Sequence, residues 1–121
     1  MPKKILVVED NKNNLTLIRD ILRYHHYEVH EAENGKAGFE KALQLLPDLI
    51  LMDIQMPVMD GFEALKQLKN FEQTKHIKVI ALTSFAMVGD RDKIMSAGFD
   101  DYIAKPIRTR ELPETVKRIL G

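Results

Sequence analysis

Short runs of apolar residues alternate along the chain with longer segments in which apolar residues recur every three or four positions. The runs are typical of buried strands, and the longer spacing is typical of amphipathic helices. Leu15, Ile18 and Leu22 show the helical spacing after the first run. The pattern predicts five strands, each followed by a helix, at residues 5–8, 27–32, 49–52, 77–82 and 102–104.

Successive predicted strands are separated by about the length of a crossover helix, which favours parallel pairing with helices on both faces of the sheet. We therefore expect a doubly wound α/β domain. The fourth helix, expected at residues 86–98, has the thinnest apolar stripe, formed by Met87, Ile94 and Ala97. A thin stripe fits a helix that shifts at low cost, and it also describes any peripheral helix.

Composition restricts the kinds of function. A chain of 121 residues suits one domain with its own core, and the absence of cysteine excludes disulfides, thiolate metal sites and cysteine nucleophiles. Lys plus Arg and Asp plus Glu both number 18, so no net charge favours nucleic acid or an anionic membrane. No apolar run approaches the roughly 20 residues of a membrane span. We expect a cytoplasmic protein that binds neither nucleic acid nor membrane.

The carboxyl ends of the predicted strands deliver ionisable groups to one edge of the sheet, where ligands bind in such folds. Glu9 and Asp10 follow the first strand, and Asp53 follows the third. Thr83 follows the fourth strand and Lys105 the fifth. Two carboxylates about 4 Å apart repel by about 4 kcal/mol at an effective dielectric constant of about 20. Three acids balanced by one lysine therefore predict a hard divalent cation such as Mg²⁺ at this edge.

These motifs carry a family resemblance that covers essentially the whole chain. Glu9-Asp10, the segment Met-Asp-Ile-Gln-Met-Pro-Val-Met-Asp-Gly around Asp53, Thr83-Ser84 and Lys105-Pro106 occur in order. Together they resemble the receiver domain of bacterial two-component response regulators. The resemblance implies a flavodoxin-like (βα)5 fold, a five-stranded parallel sheet in the order 2-1-3-4-5 and a cis bond before Pro106.

The resemblance also implies roles for individual residues. Asp53 would be the phosphoacceptor, and Lys105 and Thr83 would contact the phosphoryl group. Asp10, Asp53 and the backbone carbonyl of Gln55 would hold Mg²⁺, with Mn²⁺ as a possible substitute. Glu9 would reach the metal through a bound water. The chain would be a switch that contributes to its own phosphorylation and dephosphorylation, and not an enzyme.

The resemblance further implies how the signal enters and leaves. A histidine kinase or a phosphotransfer protein would donate the phosphoryl group. Thr83 would move toward that group and Tyr102 would change rotamer in response, altering the face formed by helix 4, strand 5 and helix 5. A downstream protein partner would bind that face.

Several alternatives stay open. Because the sequence ends at Gly121 directly after the last helix, we expect a single receiver domain over residues 1–121 without an effector, similar to stand-alone receivers of the DivK type. A receiver excised from a hybrid histidine kinase would look the same. An aspartate-nucleophile phosphohydrolase would need a second acid where Gln55 stands. An interaction module with a vestigial site is a third alternative.

The sequence departs from the family pattern in two places. Ser84 stands where alanine is more common, and it could narrow access to Asp53. Pro113 lies near the start of the last helix. If Thr109 is the N-cap, this proline occupies the fourth helical position and removes the first intrahelical hydrogen bond.

Overall fold

The computed structural model describes residues 2–56, 58–84 and 88–121. Five strands alternate with five helices over these residues, as predicted, and the strand ends differ from the predicted ones by one residue at most. None of the described helices has both the length and the apolar composition needed to cross a bilayer. The elements are β1 (Lys4–Val8), α1 (Lys12–Tyr24), β2 (Glu28–Ala32), α2 (Gly35–Leu45), β3 (Leu49–Asp53), α3 (Gly61–Lys69), β4 (Lys78–Thr83), α4 (Val88–Ser96), β5 (Asp101–Ala104) and α5 (Glu111–Leu120).

All strand pairs are parallel, and the sheet has the order β2-β1-β3-β4-β5. This confirms the predicted topology. The register pairs Leu51 with Val7 on one side and with Ile80 on the other. Because β1, β3 and β4 are interior strands paired on both sides, their carboxyl ends are held in fixed relative positions.

Two apolar clusters cover the two faces of the sheet. On one face the sheet packs against α1 through Ile18 and Leu22 and against α5 through Leu112 and Val116. On the other face it packs against residues of α2, α3 and α4. Every residue of β3 is buried, which explains why this strand appears in the sequence as an uninterrupted apolar run.

Few of the described side chains of helix α4 pack on the apolar core. Ile94 is 2% exposed, as predicted, but Ala97 is exposed and does not face the core. Met87, the third residue of the predicted stripe, lies outside the described residues. The Lys93 ammonium lies 5.3 Å from the centre of the Phe62 ring. Among the α4 side chains that the structure describes, Ile94 is therefore the buried one, and the contact of Lys93 with Phe62 lies at the flank of the helix.

The N-cap of helix α5 is Arg110, which makes no side-chain capping hydrogen bond, so the condition of a Thr109 N-cap is not met. Pro113 is consequently the third helical residue. Leu112, the residue before it, donates its N–H to the Arg108 carbonyl at 3.2 Å, so the first turn is closed without a donor at Pro113.

Candidate functional site

Asp53 is the last residue of β3 and is almost fully buried, with 3% exposure. Its Oδ1 accepts a hydrogen bond from the Gln55 backbone N–H at 3.1 Å. Helix α3 begins very close to it, since a Cβ added to Gly61 would lie 2.6 Å from the Asp53 carbonyl oxygen. The sheet and the start of α3 therefore fix the position of this carboxylate.

Lys105 bridges two buried carboxylates. Its Nζ lies 2.8 Å from Glu9 Oε1 and 3.0 Å from Asp53 Oδ2. Burial, and secondly the proximity of Asp53, raise the pKa of Glu9, and the ammonium only partly opposes this. Burial alone would lower the pKa of Lys105, but its contacts with the two carboxylates outweigh burial and raise it. The lysine therefore stays cationic at neutral pH.

Glu9, Asp10 and Asp53 form a cluster in which one carboxylate oxygen from each lies within 4.8 Å of the others. Oε1 of Glu9 is buried and, among the described residues, accepts no well-directed hydrogen bond despite the nearby ammonium. Asp10, in contrast, is exposed. Three oxygen donors balanced by only one ammonium fit a hard divalent cation such as Mg²⁺. These residues could therefore hold a metal ion.

Thr83 ends β4 and is buried, with 1% exposure. Register places it beside Ala104, and Tyr102 lies two residues earlier on β5. Tyr102 is half-buried and packs against the apolar cluster, and the Arg91 guanidinium carbon is 5.6 Å from the ring centre. Thr83 also lines a cavity of about 290 Å³ between α3 and α4, with Phe62 and Ile94 among the other lining residues. The structure therefore has open space next to Thr83 into which neighbouring side chains could move.

The predicted residues lie at or near the carboxyl edge of the sheet, and four of them form one cluster. Glu9, Asp10, Asp53 and Lys105 come together. Thr83 lies at the same edge, whereas Tyr102 is set back along its strand. Gln55 and Ser84, which follow Asp53 and Thr83 in the chain, are exposed. The Lys105–Pro106 bond is cis, as predicted.

Two glycines set the shape of the site through close contacts that the sequence did not predict. Gly61 permits the close approach of α3 to β3, and Gly35 permits α2 to approach Met59 in the β3–α3 loop. Each glycine directly follows the N-cap of its helix, Asp60 or Asn34. An N-cap followed by glycine was the available signal, but it does not identify the packing partner.

The response regulator receiver domain family matches residues 5–117 of the chain. With the acidic cluster and the lysine at the carboxyl edge of a 2-1-3-4-5 sheet, the match establishes the class of protein. The chain belongs to the response regulator receiver family and is a phosphorylation-dependent signalling switch.

Two curated relatives are similar to the whole chain. The polar-differentiation response regulator DivK of Brucella anthropi is 45% identical over 121 residues, covering 100% of this chain and 98% of the relative. The DivK protein of Brucella ovis is 44% identical with the same coverage. The chain is therefore similar in length and sequence to receivers that carry the DivK name.

Solved structures share the fold. The receiver domain of the sensor histidine kinase PA1611 from Pseudomonas aeruginosa, with a magnesium ion coordinated in the active-site cleft, has a TM-score of 0.92 and 37% identity. The match covers 100% of this chain and 99% of that one. The chemotaxis protein CheY4 of Vibrio cholerae also has a TM-score of 0.92, at 28% identity, with 98% of this chain and 99% of that chain covered.

Proposed function

We propose that Asp53 is the phosphoacceptor of this receiver and that a histidine kinase or a phosphotransfer protein is the donor. The observation that carries the proposal is a buried carboxylate with one oxygen 3.0 Å from an ammonium and with two further acids close by. An Asp53 oxygen attacks the phosphorus of a phosphohistidine, and the new O–P bond replaces the P–N bond. The leaving nitrogen keeps the electron pair of the P–N bond. Because the other ring nitrogen of the donor carries a proton, the histidine product is a neutral imidazole.

Asp10, Asp53 and the backbone carbonyl of Gln55 would hold Mg²⁺, or Mn²⁺ in its place, and Glu9 would act through a metal-bound water. When bound, the metal would reduce repulsion between the anionic nucleophile and the anionic donor. Lys105, whose Nζ lies 3.0 Å from Asp53 Oδ2, pairs with a phosphoryl oxygen once the aspartyl phosphate has formed. The burial of Glu9 and Asp53 supports both roles, because bulk water does not screen the interactions of buried charges.

Thr83 donates its hydroxyl to another phosphoryl oxygen and transmits the change to Tyr102. The cavity beside Thr83 and the sparse core contacts of α4 support this part of the proposal, because both lower the cost of rearrangement. The face formed by α4, β5 and α5 then binds a downstream protein partner. The switch contributes to its own phosphorylation and dephosphorylation through the same residues.

The organisation that we propose is a single cytoplasmic receiver domain over residues 1–121 without an effector. Coverage of 98% of the DivK relatives supports this organisation. Similarity to the receiver of the sensor kinase PA1611 favours the alternative of a module from a hybrid kinase. Phosphorylation chemistry would be the same in both cases.

The experiment is incubation of the protein with acetyl phosphate and Mg²⁺, followed by intact mass measurement. We expect one phosphoryl adduct that is labile to base, and none on Asp53→Asn. No adduct on the parent protein would overturn the proposal. An equal adduct on Asp53→Asn would show that another residue is the acceptor. Release of phosphate over many turnovers would favour the phosphohydrolase alternative.

A further inference from the structure

Helix α2 starts in direct contact with the loop that follows Asp53. A Cβ added to Gly35 would overlap the carbonyl oxygen of Met59 and would lie 3.1 Å from both the carbonyl carbon and the Cβ of that residue. Gly35 does not have a positive φ, so its backbone conformation is open to any residue. The requirement for glycine therefore comes from the contact with Met59 and not from the turn.

The start of α2 is the rigid side of this contact. Asn34 caps the helix, with its side-chain oxygen accepting the Ala37 N–H at 2.8 Å. One turn later, Gly38 packs tightly on β1, since an added Cβ would lie 2.7 Å from Val8 Cγ2. A substitution at Gly35 is therefore expected to displace the loop more than the helix.

The β3–α3 loop is the softer side. Val58 is 82% exposed and has a φ of 72°, a left-handed conformation that is unfavourable for a β-branched residue. The Gly61 N–H donates to the Ile54 carbonyl at 2.9 Å and ties the two ends of the loop together. Met59 and Gln55 both lie between these tied ends, so a displacement of Met59 is expected to displace Gln55 as well.

We propose that Gly35, which lies outside the site, is a positioning residue for the metal: by lacking a side chain it lets α2 hold the loop where the Gln55 carbonyl serves as a ligand. This inference rests on the proposed function. Mg²⁺ requires near-ideal octahedral geometry with ligand oxygens at about 2.0–2.1 Å, whereas Ca²⁺ accepts about 2.3–2.6 Å and variable geometry. A displaced carbonyl therefore weakens Mg²⁺ binding more than Ca²⁺ binding.

The test is isothermal titration calorimetry with Mg²⁺ and with Ca²⁺, on the parent protein and on Gly35→Ala. We expect the Mg²⁺ dissociation constant to rise on the order of tenfold, as for other residues that orient metal ligands, and the preference for Mg²⁺ over Ca²⁺ to fall. An Mg²⁺ dissociation constant within about twofold of the parent value would overturn the positioning role.

Gly89→Ala is the matched control, because it also adds one methyl group to a helical glycine but meets no atom within 4 Å. It is expected to keep the Mg²⁺ dissociation constant within about twofold of the parent value. Equal weakening by both variants would overturn the inference. Failure of the parent protein to bind Mg²⁺ would instead overturn the proposed function.

A milder variant covers the case in which Gly35→Ala does not fold. Asn34→Ala removes the α2 cap and leaves Gly35 in place, so it loosens the support of the loop without adding bulk. We expect the Mg²⁺ dissociation constant to rise about threefold or more. An unchanged value would count against the role of the α2 start.

Discussion

Replacing Lys105 by methionine should expose how much the site depends on one cation. The substitution leaves Glu9 and Asp53 buried without the ammonium that lies 2.8 Å and 3.0 Å from their oxygens. Each pair is worth about 6 kcal/mol of Coulomb energy at an effective dielectric constant of about 20, before desolvation is subtracted. Removing one partner of a buried pair typically costs about 3–5 kcal/mol. We expect about 3 kcal/mol, because Glu9 can take up a proton.

The assay is urea denaturation without divalent cations, and Lys75→Met is the matched control. Lys75 Nζ lies 2.9 Å from Glu72 Oε1, a distance close to those of Lys105, but both side chains are exposed. Exposed pairs contribute about 0–1 kcal/mol. An equal loss of unfolding free energy in the two variants would refute the argument that burial makes Lys105 important.

Mg²⁺ should reduce the difference in unfolding free energy between Lys105→Met and the parent protein. Without the lysine, three carboxylates attract the cation with no competing positive charge, so the affinity for Mg²⁺ should increase. A ligand that binds only the folded state stabilises it in proportion to the logarithm of its concentration over the dissociation constant. A smaller stabilisation of the variant than of the parent at saturating Mg²⁺ would contradict this electrostatic account.

Three further predictions concern single side chains. Val58→Gly should raise the unfolding free energy by about 1 kcal/mol by relieving the positive φ. A lower unfolding free energy in urea would contradict the claim that Val58 is strained. Ile94→Ala should cost about 2–4 kcal/mol, and a loss below 1 kcal/mol by the same method would show that the flanking contacts, and not this side chain, hold α4. Thr83→Ala should keep phosphorylation at Asp53 but weaken its effect on partner binding, measured by calorimetry. Equal phosphorylation-dependent changes in partner affinity for variant and parent would remove Thr83 from the switch.

The sheet could be predicted because its strands have an unambiguous physical signature. The interior strands are buried on both faces, so each appears as a continuous apolar run that ends where the chain meets solvent at the carboxyl edge. Asp53 and Thr83 were located by those ends. The strand order itself came from the family resemblance, since periodicity does not specify which strands are neighbours.

Elements with weak local signals could not be predicted in detail. Ala97 was assigned to the core on spacing alone, although α4 buries little more than Ile94 among its described residues. The N-cap of α5 is Arg110 and not Thr109, although threonine is the better capping residue by type. In both places spacing or residue type alone does not determine the outcome.

The contacts of Gly35 and Gly61 illustrate a different limit. Gly35 meets Met59 and Gly61 meets Asp53, and the members of each pair are several residues apart in the sequence. They come together only when the chain has folded. Local sequence shows only a glycine after an N-cap. The same holds for the bridge from Lys105 to Glu9 and Asp53, whose residue types were predictable and whose distances were not.

The central claim is that Asp53 carries the phosphoryl group. Sodium borohydride reduces an acyl phosphate to the corresponding alcohol, so treatment of the phosphorylated protein would convert an aspartyl phosphate to homoserine. Peptide sequencing by tandem mass spectrometry would locate the modified position. We predict homoserine at position 53 and at no other acid. Homoserine at position 10, or a reduced glutamate at position 9 with Asp53 unmodified, would contradict the account.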